Sequence, residues 1–473
     1  MDPAHGQSAL SEKDLIRLFR SEAISLKATA AQRDQSELNS SLLKEAYMPQ
    51  GYGSFRYGDS NEKSLSPFQP TLGPTTNLLA GIRKRYAYGV AGSAEVFTQE
   101  VSTTDGNLDR AAQFGGRASV SLDLWRNYLG KLDQSTVKSA EIGEVRTALE
   151  AEINERISEL SLRKAFWSIL ALDESLKVNE ELLRSAERQL KEARKRGADG
   201  VADRGEIARY QAQIESRKAT QITLELQRQY GEGAIKRQIA SLQGQRIRLA
   251  PVNLQEEENK FQICSKQILT QNETPLPFAA SAELLSKLKE EFDQKQAQAA
   301  LHSSPDLFLE LSMQRSGVDQ GAGPSTEDFV SKGKLGYSIG LNLTVPLGEQ
   351  SDFSERKLLS AQKNAYDAQT LQLKHDLSVL HSDTRQALRL LAQALETQSN
   401  ESRFLTINLD ESRQKFNQGR IPVSLLIQEQ DSLFASRLTE IDIKRQIVHA
   451  MYDYFQVFTR HPCPMNRLVS NRE

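Results

Sequence analysis

The 473 residues carry 60 basic and 62 acidic side chains for a formal charge of −2, which excludes a polyanion-binding role driven by overall charge. Hydrophobic residues make up 38% of the chain and mean hydropathy is −0.53; the longest uncharged stretches, 66–82 (broken by prolines) and 335–348, fall short of the ~20 apolar residues of a membrane helix, so a polytopic helical membrane protein is excluded. The only cysteines, Cys264 and Cys463, exclude a disulfide scaffold and a multi-cysteine zinc site.

The N-terminus, MDPAHGQSALSEKD, has neither the basic nor the apolar region of a signal peptide, so the chain either stays inside the cell or begins after a removed signal. No cysteine near it offers a site for a lipid anchor. Residues 10–46 predict a helix opened by a capping box from Ser11 to Asp14. Residues 48–85, rich in Gly, Pro and Ser, read as an inserted loop. Ala118, Val120, Leu122 and Leu124 then alternate with Ser119, Ser121 and Asp123, the period of a strand with one apolar face. Tyr88, Val90, Gly92 and Ala94 form its upstream partner across a polar loop at about 102–115, giving a hairpin.

Residues 130–250 contain no proline, which costs ~3 kcal/mol inside a helix, and they predict two long helices. Leu162, Phe166, Ile169, Leu172, Leu176, Asn179, Leu183, Ala186 and Leu190 step by threes and fours and place a narrow apolar seam along the first. The chain reverses at 194–206. Residues 251–280 read as a polar linker, and 281–302 as a counterpart of the first helix. Leu307, Leu309, Leu311 and Met313 alternate with Phe308, Glu310, Ser312 and Gln314. After a polar loop at 317–333, Tyr337, Ile339, Leu341, Leu343 and Val345 alternate with Ser338, Gly340, Asn342 and Thr344. Residues 354–416 predict ~95 Å of continuous helix at 1.5 Å per residue. Its seam runs Leu373, Leu377, Leu380, Thr384, Leu388, Leu391, Leu395, Gln398, Ser402, Leu405, Leu409, Ser412 and Phe416. A second reversal at 416–426 leads into a proline-free helix and a short tail.

These elements repeat. Ser119–Leu124 (SVSLDL) matches Ser338–Leu343 (SIGLNL) at an offset of 219 residues. The same offset pairs Ile169 with Leu388, Leu172 with Leu391, Leu176 with Leu395, Leu190 with Leu409, Gly200 with Gly419, Gln211 with Gln430 and Ile214 with Leu433. One register held through strand, helix, turn and helix marks a tandem duplication. The boundaries are 1–85 for the N-terminal helix and inserted loop, 86–250 for the first repeat, 251–304 for linker and short helix, 305–460 for the second repeat and 461–473 for the tail. At the reversals Gly ends one helix, and Asp203, or Pro422 followed by Ser424, starts the next. Such a turn either docks a partner or serves only to reverse the chain.

No signal for chemistry stands out. The six histidines form no HExxH motif, and His375 and His381, six apart, do not share a helical face. Residues 336–340 spell GxSxG, but Ser338 lies inside an alternating strand, whereas a nucleophile elbow needs a sharp turn after the strand. The chain reads as a non-enzyme without metal or cofactor.

The order of duplicated strands, long helix, Gly turn and long helix resembles the outer-membrane efflux proteins, the TolC-like outer membrane factors. GYSIGLNLTVPLGE (336–349) and FNQGRIPVSLLIQEQDSL (416–433) carry the resemblance, with GRASVSLDLW (116–125) and GVADRGEIARYQAQI (200–214) in the first copy. It implies a mainly α fold with a β-barrel part: a homotrimer in which four strands per chain build a shared 12-stranded transmembrane β-barrel, continued by a trimeric α-barrel of long helices. Val120, Leu122, Leu124, Ile339, Leu341 and Leu343 would face lipid. Trp125 and Tyr128 suit an aromatic girdle and suit core packing equally. Gly200, Asp203, Arg204, Glu206, Gly419, Arg420, Pro422, Ser424, Leu425 and Gln428 would form the periplasmic tip and aperture, where an adaptor docks. The acidic residues that family members place there have a counterpart in Glu206, whereas the second copy has Leu425 and Gln428, and the turns are basic. In the family fold the segments of Cys264 and Cys463 lie near a belt around the α-barrel, where a disulfide between them is expected in an oxidising periplasm.

The resemblance thus implies a passive exit duct in the outer membrane and periplasm of a Gram-negative-type cell, serving a tripartite efflux or type I secretion system. Its partners would be a periplasmic adaptor, an inner-membrane pump and outer-membrane lipid, with no nucleic acid. The alternative is a soluble elongated helical-bundle scaffold, which accounts for the seams but leaves the apolar strand faces uncovered.

Overall fold

The computed structural model describes residues 9–59, 72–103, 110–199, 204–252, 254–270, 277–302, 304–345 and 349–458. The chain runs α1 (Glu12–Glu22), α2 (Ile24–Glu45), β1 (Gln50–Gly58), β2 (Leu72–Tyr86), β3 (Val90–Thr103), β4 (Arg110–Asp123), α3 (Lys131–Ala198), α4 (Arg204–Gln238), α5 (Leu254–Thr270) and α6 (Ala279–His302). It continues through β5 (Asp306–Asp319), α7 (Ala322–Ser331), β6 (Lys334–Thr344), α8 (Glu349–Asn417) and α9 (Val423–Val457). The helices α3 and α8 hold 68 and 69 residues. Among the described residues no helix is long and apolar enough to cross a membrane.

The duplication is visible in the structure. Shifting α4 by 219 residues reproduces the limits of α9. The same shift carries the β3–β4 register onto that of β5–β6, so that Val90 opposite Leu122 becomes Leu309 opposite Leu341. It also carries the 2.7 Å hydroxyl contact of Ser93 and Ser119 onto that of Ser312 and Ser338.

Four readings from sequence need correction. Residues 48–85 are not a loop: they hold β1 and the larger part of β2, an antiparallel hairpin. Each chain therefore contributes six strands to its sheet, not four. The polar linker at 251–280 contains α5, whose Cys264 and Ile268 are fully buried. The first helix breaks at Ala23, whose ψ of 125° leaves the helical region, although its capping box forms as expected between Ser11 and Asp14. The loop at 317–333 is shorter than read, since β5 extends to Asp319 and α7 follows.

The chain divides into two compact units that each draw on both repeats. The first comprises residues 1–32, 149–284 and 370–473. Its core joins α1 (Leu15, Phe19), α3 (Phe166, Ile169), α5 (Cys264, Ile268), α8 (Leu388, Leu395) and α9 (Met451, Tyr452, Phe455). Phe166 and Ile169 of α3 and Leu388 and Leu395 of α8 are expected seam positions, and Ile169 and Leu388, paired by the repeat, are both fully buried. A charged network crosses this core: the Arg163 guanidinium, 3% exposed, reaches Glu12 at 2.8 Å and Glu159 at 2.7 Å. Tyr452 donates its hydroxyl to Glu12 at 3.1 Å and receives the Trp167 indole N–H at 3.2 Å. The Arg156 guanidinium donates to the Phe455 carbonyl at 3.1 Å, satisfying an acceptor at the end of α9.

The second unit comprises residues 33–148 and 285–369 and contains the six-stranded antiparallel sheet, ordered β1-β2-β3-β4-β5-β6. The strand ends that connect to helices lie together, and among the described residues the strand-to-strand link there is the short turn at residues 87–89. The opposite strand ends are joined across 320–333, which holds α7, and across 60–71 and 104–109, which lie outside the described residues.

Candidate functional site: a two-faced sheet and two helical tips

Paired residues in an antiparallel sheet share a face, so the register sorts every strand residue onto one of two surfaces. One surface holds Leu335, Tyr337, Ile339, Leu341 and Leu343 of β6 opposite Arg315, Met313, Leu311, Leu309 and Leu307 of β5. It continues through Ala118, Val120 and Leu122 of β4, Val90, Ala94 and Val96 of β3, Leu78, Ala80 and Ile82 of β2, and Phe55 and Tyr57 of β1. Five of the six residues expected to face lipid fall on it. The sixth, Leu124, sits one residue beyond β4, its N–H donating to the Leu307 carbonyl at 2.8 Å. The surface is bare: Tyr337 is 82% exposed, Ile339 70%, Phe55 69% and Ile82 61%. Contiguous apolar patches of this kind are rare on proteins surrounded by water.

The opposite surface is polar. Ser338, Gly340 and Asn342 of β6 face Ser312, Glu310 and Phe308 of β5, and Ser119, Arg117 and Gln113 of β4 follow. Arg117 reaches Glu95 at 3.1 Å and Gln314 at 3.0 Å. Ser338, the middle of the GxSxG match, lies mid-strand with its hydroxyl against Ser312, and the strand runs on to Thr344 without a turn.

Where strands pass into helices, two glycines in the left-handed region interlock. Gly89 (φ 73°) lies against the Asn127 carbonyl and Gly130 (φ 74°) against the Ala87 carbonyl, each too close for a Cβ. The Asn127 side chain accepts the N–H groups of Leu132 at 3.0 Å and Asp133 at 3.1 Å, capping α3. Its amide donates to Asp133 at 2.8 Å, and Arg85 reaches the other oxygen at 2.7 Å. Trp125 and Tyr128 stand here 54% and 49% exposed, beside the exposed Tyr86 and Tyr88, so core packing is not their role.

The helical tips form a second candidate site. Gly419 (φ 72°) ends α8 in a Schellman motif, its N–H bonding the Phe416 carbonyl while the Arg420 N–H bonds that of Lys415, both at 2.8 Å. Pro422 is the N-cap residue of α9. Gly200 and Asp203 lie outside the described residues. Arg204, Arg420, Ser424, Leu425 and Gln428 are exposed. Glu206 is not a bare acid: the Arg196 guanidinium grips its carboxylate while lying 5.0 Å from the centre of the Phe416 ring. Tyr210, fully buried, packs with Ala193 and Val423, joining the two hairpins. Burial, and then the Glu206 charge, pushes its hydroxyl up to about 12. One stretch further, Arg217 ion-pairs with Asp431 and lies 3.9 Å over the Phe434 ring, while Gln213 donates to Gln430 at 3.3 Å. Sequence reading missed these cross-hairpin contacts; the repeat pairing of Gln211 with Gln430 only marked the level at which they occur. Most basic tip residues lie in solvent, and Arg413 and Lys415 pair with Asp410 and Glu411 a turn earlier.

Cys264 is fully buried and disulfide-bonded, whereas Cys463 lies outside the described residues. Among the described residues no group of three His, Cys, Asp or Glu side chains could hold a metal ion. His375 is exposed and His381 is buried against the Tyr454 and Phe458 rings, so the two share no site.

No family profile matches the sequence, and no curated protein matches it. Solved structures do match its fold. The outer membrane channel CmeC of Campylobacter jejuni superposes with a TM-score of 0.66 at 12% identity, covering 96% of this chain and 90% of that one. The outer membrane protein VceC of Vibrio cholerae gives 0.64 at 13% identity, over 95% and 97%. The MtrE outer membrane channel of Neisseria gonorrhoeae, in its open state, gives 0.61 at 14% identity, over 94% and 88%. With a duplicated pair of long helical hairpins and a sheet apolar on one side, the chain has the TolC-like fold of the bacterial outer-membrane channels.

Proposed function

We propose that the chain is one subunit of a trimeric outer-membrane channel, a passive exit duct of a tripartite efflux or type I secretion system. The observation that carries this reading is the apolar surface shared by all six strands, with Tyr337 82% and Ile339 70% exposed. Hydrocarbon accommodates such a surface without cost, and strands can stand in hydrocarbon only as part of a closed barrel. The short turn at 87–89 on the helix side, with longer connections at the far end, matches the asymmetry of outer-membrane barrels. Trp125, Tyr128, Tyr86 and Tyr88 supply an aromatic girdle at the periplasmic rim.

In this reading the long helices of three copies line a periplasmic α-barrel. The exposed residues Arg204, Arg420, Ser424, Leu425 and Gln428 meet a periplasmic adaptor, which links the duct to an inner-membrane pump. Arg196, gripped by Glu206 and set against the Phe416 ring, and the buried Tyr210 hold the two hairpins of one chain together where the aperture would open. The duct performs no chemistry and needs no cofactor.

The test is conductance of purified protein reconstituted in a planar bilayer. The reading expects discrete channels, and Glu206→Gln, which loosens the tip, should raise the open fraction or change the conductance. A protein that inserts and never conducts would refute the duct. Unchanged conductance in Glu206→Gln would remove the tip from gating.

A further inference from the structure

We propose that all six strands of each chain enter the barrel wall, with β1 of one copy pairing to β6 of the next, so that the trimer closes eighteen strands rather than twelve. The proposal rests on the channel reading above, in which three copies share one barrel.

The hairpin β1–β2 belongs to the first repeat alone. In the second, α6 ends at His302 and β5 begins at Asp306, whereas in the first α2 ends at Glu45 and the corresponding β3 begins at Val90. The inserted residues add to the same sheet and move its free edge from β3 to β1. The two open edges are thus β1, with nine residues, and β6, with eleven. Each is as long as the ~9–11 residues a tilted strand needs to cross a bilayer. In lipid their unpaired backbone groups must find partners, because no water is there to satisfy them. Six alternating strands leave β6 antiparallel to a following β1, so a second copy continues the ladder without a break in pattern.

The side chains of the hairpin obey the two-surface rule of the rest of the sheet. Phe55 and Tyr57 of β1 and Leu78 and Ile82 of β2 extend the apolar surface, and Phe55 and Ile82 are 69% and 61% exposed. Gln50, Ser54 and Arg56 of β1 and Asn77 and Arg83 of β2 extend the polar one. A hairpin lying against the wall from outside, or free in water, has no use for a face in register with the lipid-facing band.

A continuous polar row also stitches it in. The Tyr52 hydroxyl donates to Glu95 at 2.7 Å, passing over Gly81 of β2, and Glu95 continues to Arg117 and Gln314. A Cβ at Gly81 would stand 2.8 Å from the Ala94 carbonyl and 3.0 Å from the Tyr52 ring, so the bare glycine is what lets the tyrosine cross. The same device appears one hairpin later, where a Cβ at Gly115 would stand 2.7 Å from the Phe97 ring. The row therefore runs from β1 to β5 on the surface that would face the lumen. Barrel diameter grows roughly linearly with strand number, so eighteen strands give a lumen about one and a half times as wide as twelve, in the size class of open aqueous pores.

The test is cryo-electron microscopy of the full-length protein in lipid nanodiscs. Three copies with eighteen strands, β1 against the neighbour's β6, is the expected result. Three copies with twelve strands, the β1–β2 hairpin standing outside the wall, would overturn the proposal and leave the channel reading intact. A particle without a β-wall would overturn both. A biochemical check uses cysteine pairs on the polar surface: Ser338→Cys combined in turn with Gln50→Cys, Ser54→Cys and Arg56→Cys, against a second series with Ala91→Cys, Ser93→Cys and Gln99→Cys on β3. Oxidation should link two chains in the β1 series only. Chains linked through the β3 series would mean that β3 is the true edge and refute the proposal.

Discussion

Ile339 and Ser338 are neighbours in β6 whose side chains leave the sheet on opposite surfaces. Ile339 is the middle residue of the strand, lies opposite Leu311 and is 70% exposed. If the apolar surface meets hydrocarbon, Ile339→Arg sets a guanidinium near mid-depth, which costs about 2–4 kcal/mol in each copy. Three copies accumulate about 6–12 kcal/mol, enough to abolish the folded barrel at moderate urea. Ser338→Arg places the same group on the polar surface, where the loss is the 2.7 Å hydroxyl contact with Ser312, about 1 kcal/mol. The assay is urea-dependent folding into phospholipid vesicles, followed by the fluorescence of Trp125 at the helix-side end of the sheet. The expected outcome is a large loss of the folded form for Ile339→Arg and a small shift for Ser338→Arg. Equal shifts, or better recovery of Ile339→Arg in plain buffer, would mean that water faces Ile339 and would refute the reasoning.

Three further outcomes follow from the helical unit and the sheet. Arg163→Met strands the Glu12 and Glu159 carboxylates in the core, a loss of about 3–5 kcal/mol in helical unfolding by circular dichroism; a loss below 1 kcal/mol would show that the pairs are not structural. Burial, reinforced by the nearby Arg385 charge, holds the His381 pKa below its usual 6.5, so the unfolded chain takes up the proton first. Stability should therefore fall as pH drops below about 6.5, by at most about 1.4 kcal/mol per pH unit for this group, and His381→Phe should flatten that part of the profile; an unchanged profile would refute it. Gly81→Val should drive β2 against the Ala94 carbonyl and displace Tyr52 at about 1–3 kcal/mol, speeding amide exchange in β1 roughly 5- to 150-fold; unchanged exchange would show the crossing to be dispensable.

Much of the fold was legible because a duplication reports itself twice. An offset read from SVSLDL and SIGLNL carried through to the limits of α4 and α9 and to two equivalent serine contacts. The seams were legible because a 3.6-residue period needs no partner to be recognised. The β1–β2 hairpin was not, since Leu78 and Leu79 stand side by side and Arg83, Lys84 and Arg85 form a run. Register explains both: Leu79 sits opposite Phe97 on the surface that carries Arg117 and Ser338, and Arg83 reaches back to Gln50 at 3.1 Å. Gly81, one of the glycines that looked like loop residues, serves instead to let the Tyr52 ring cross β2. The helix α5 hid because, among its residues whose burial is described, Cys264 and Ile268 alone are fully buried, a stripe one turn long. At the tips, Arg196 and Glu206 lie on opposite sides of a turn, and no spacing rule links them before the turn is built.

The most direct measurement of the central claim is the molar mass of the purified protein by light scattering, with and without detergent. The account predicts a particle of three 52.9 kDa chains, about 159 kDa of protein, that stays dispersed only in detergent. A monomer or dimer soluble in plain buffer would contradict it, and the apolar sheet surface would then need another partner than lipid.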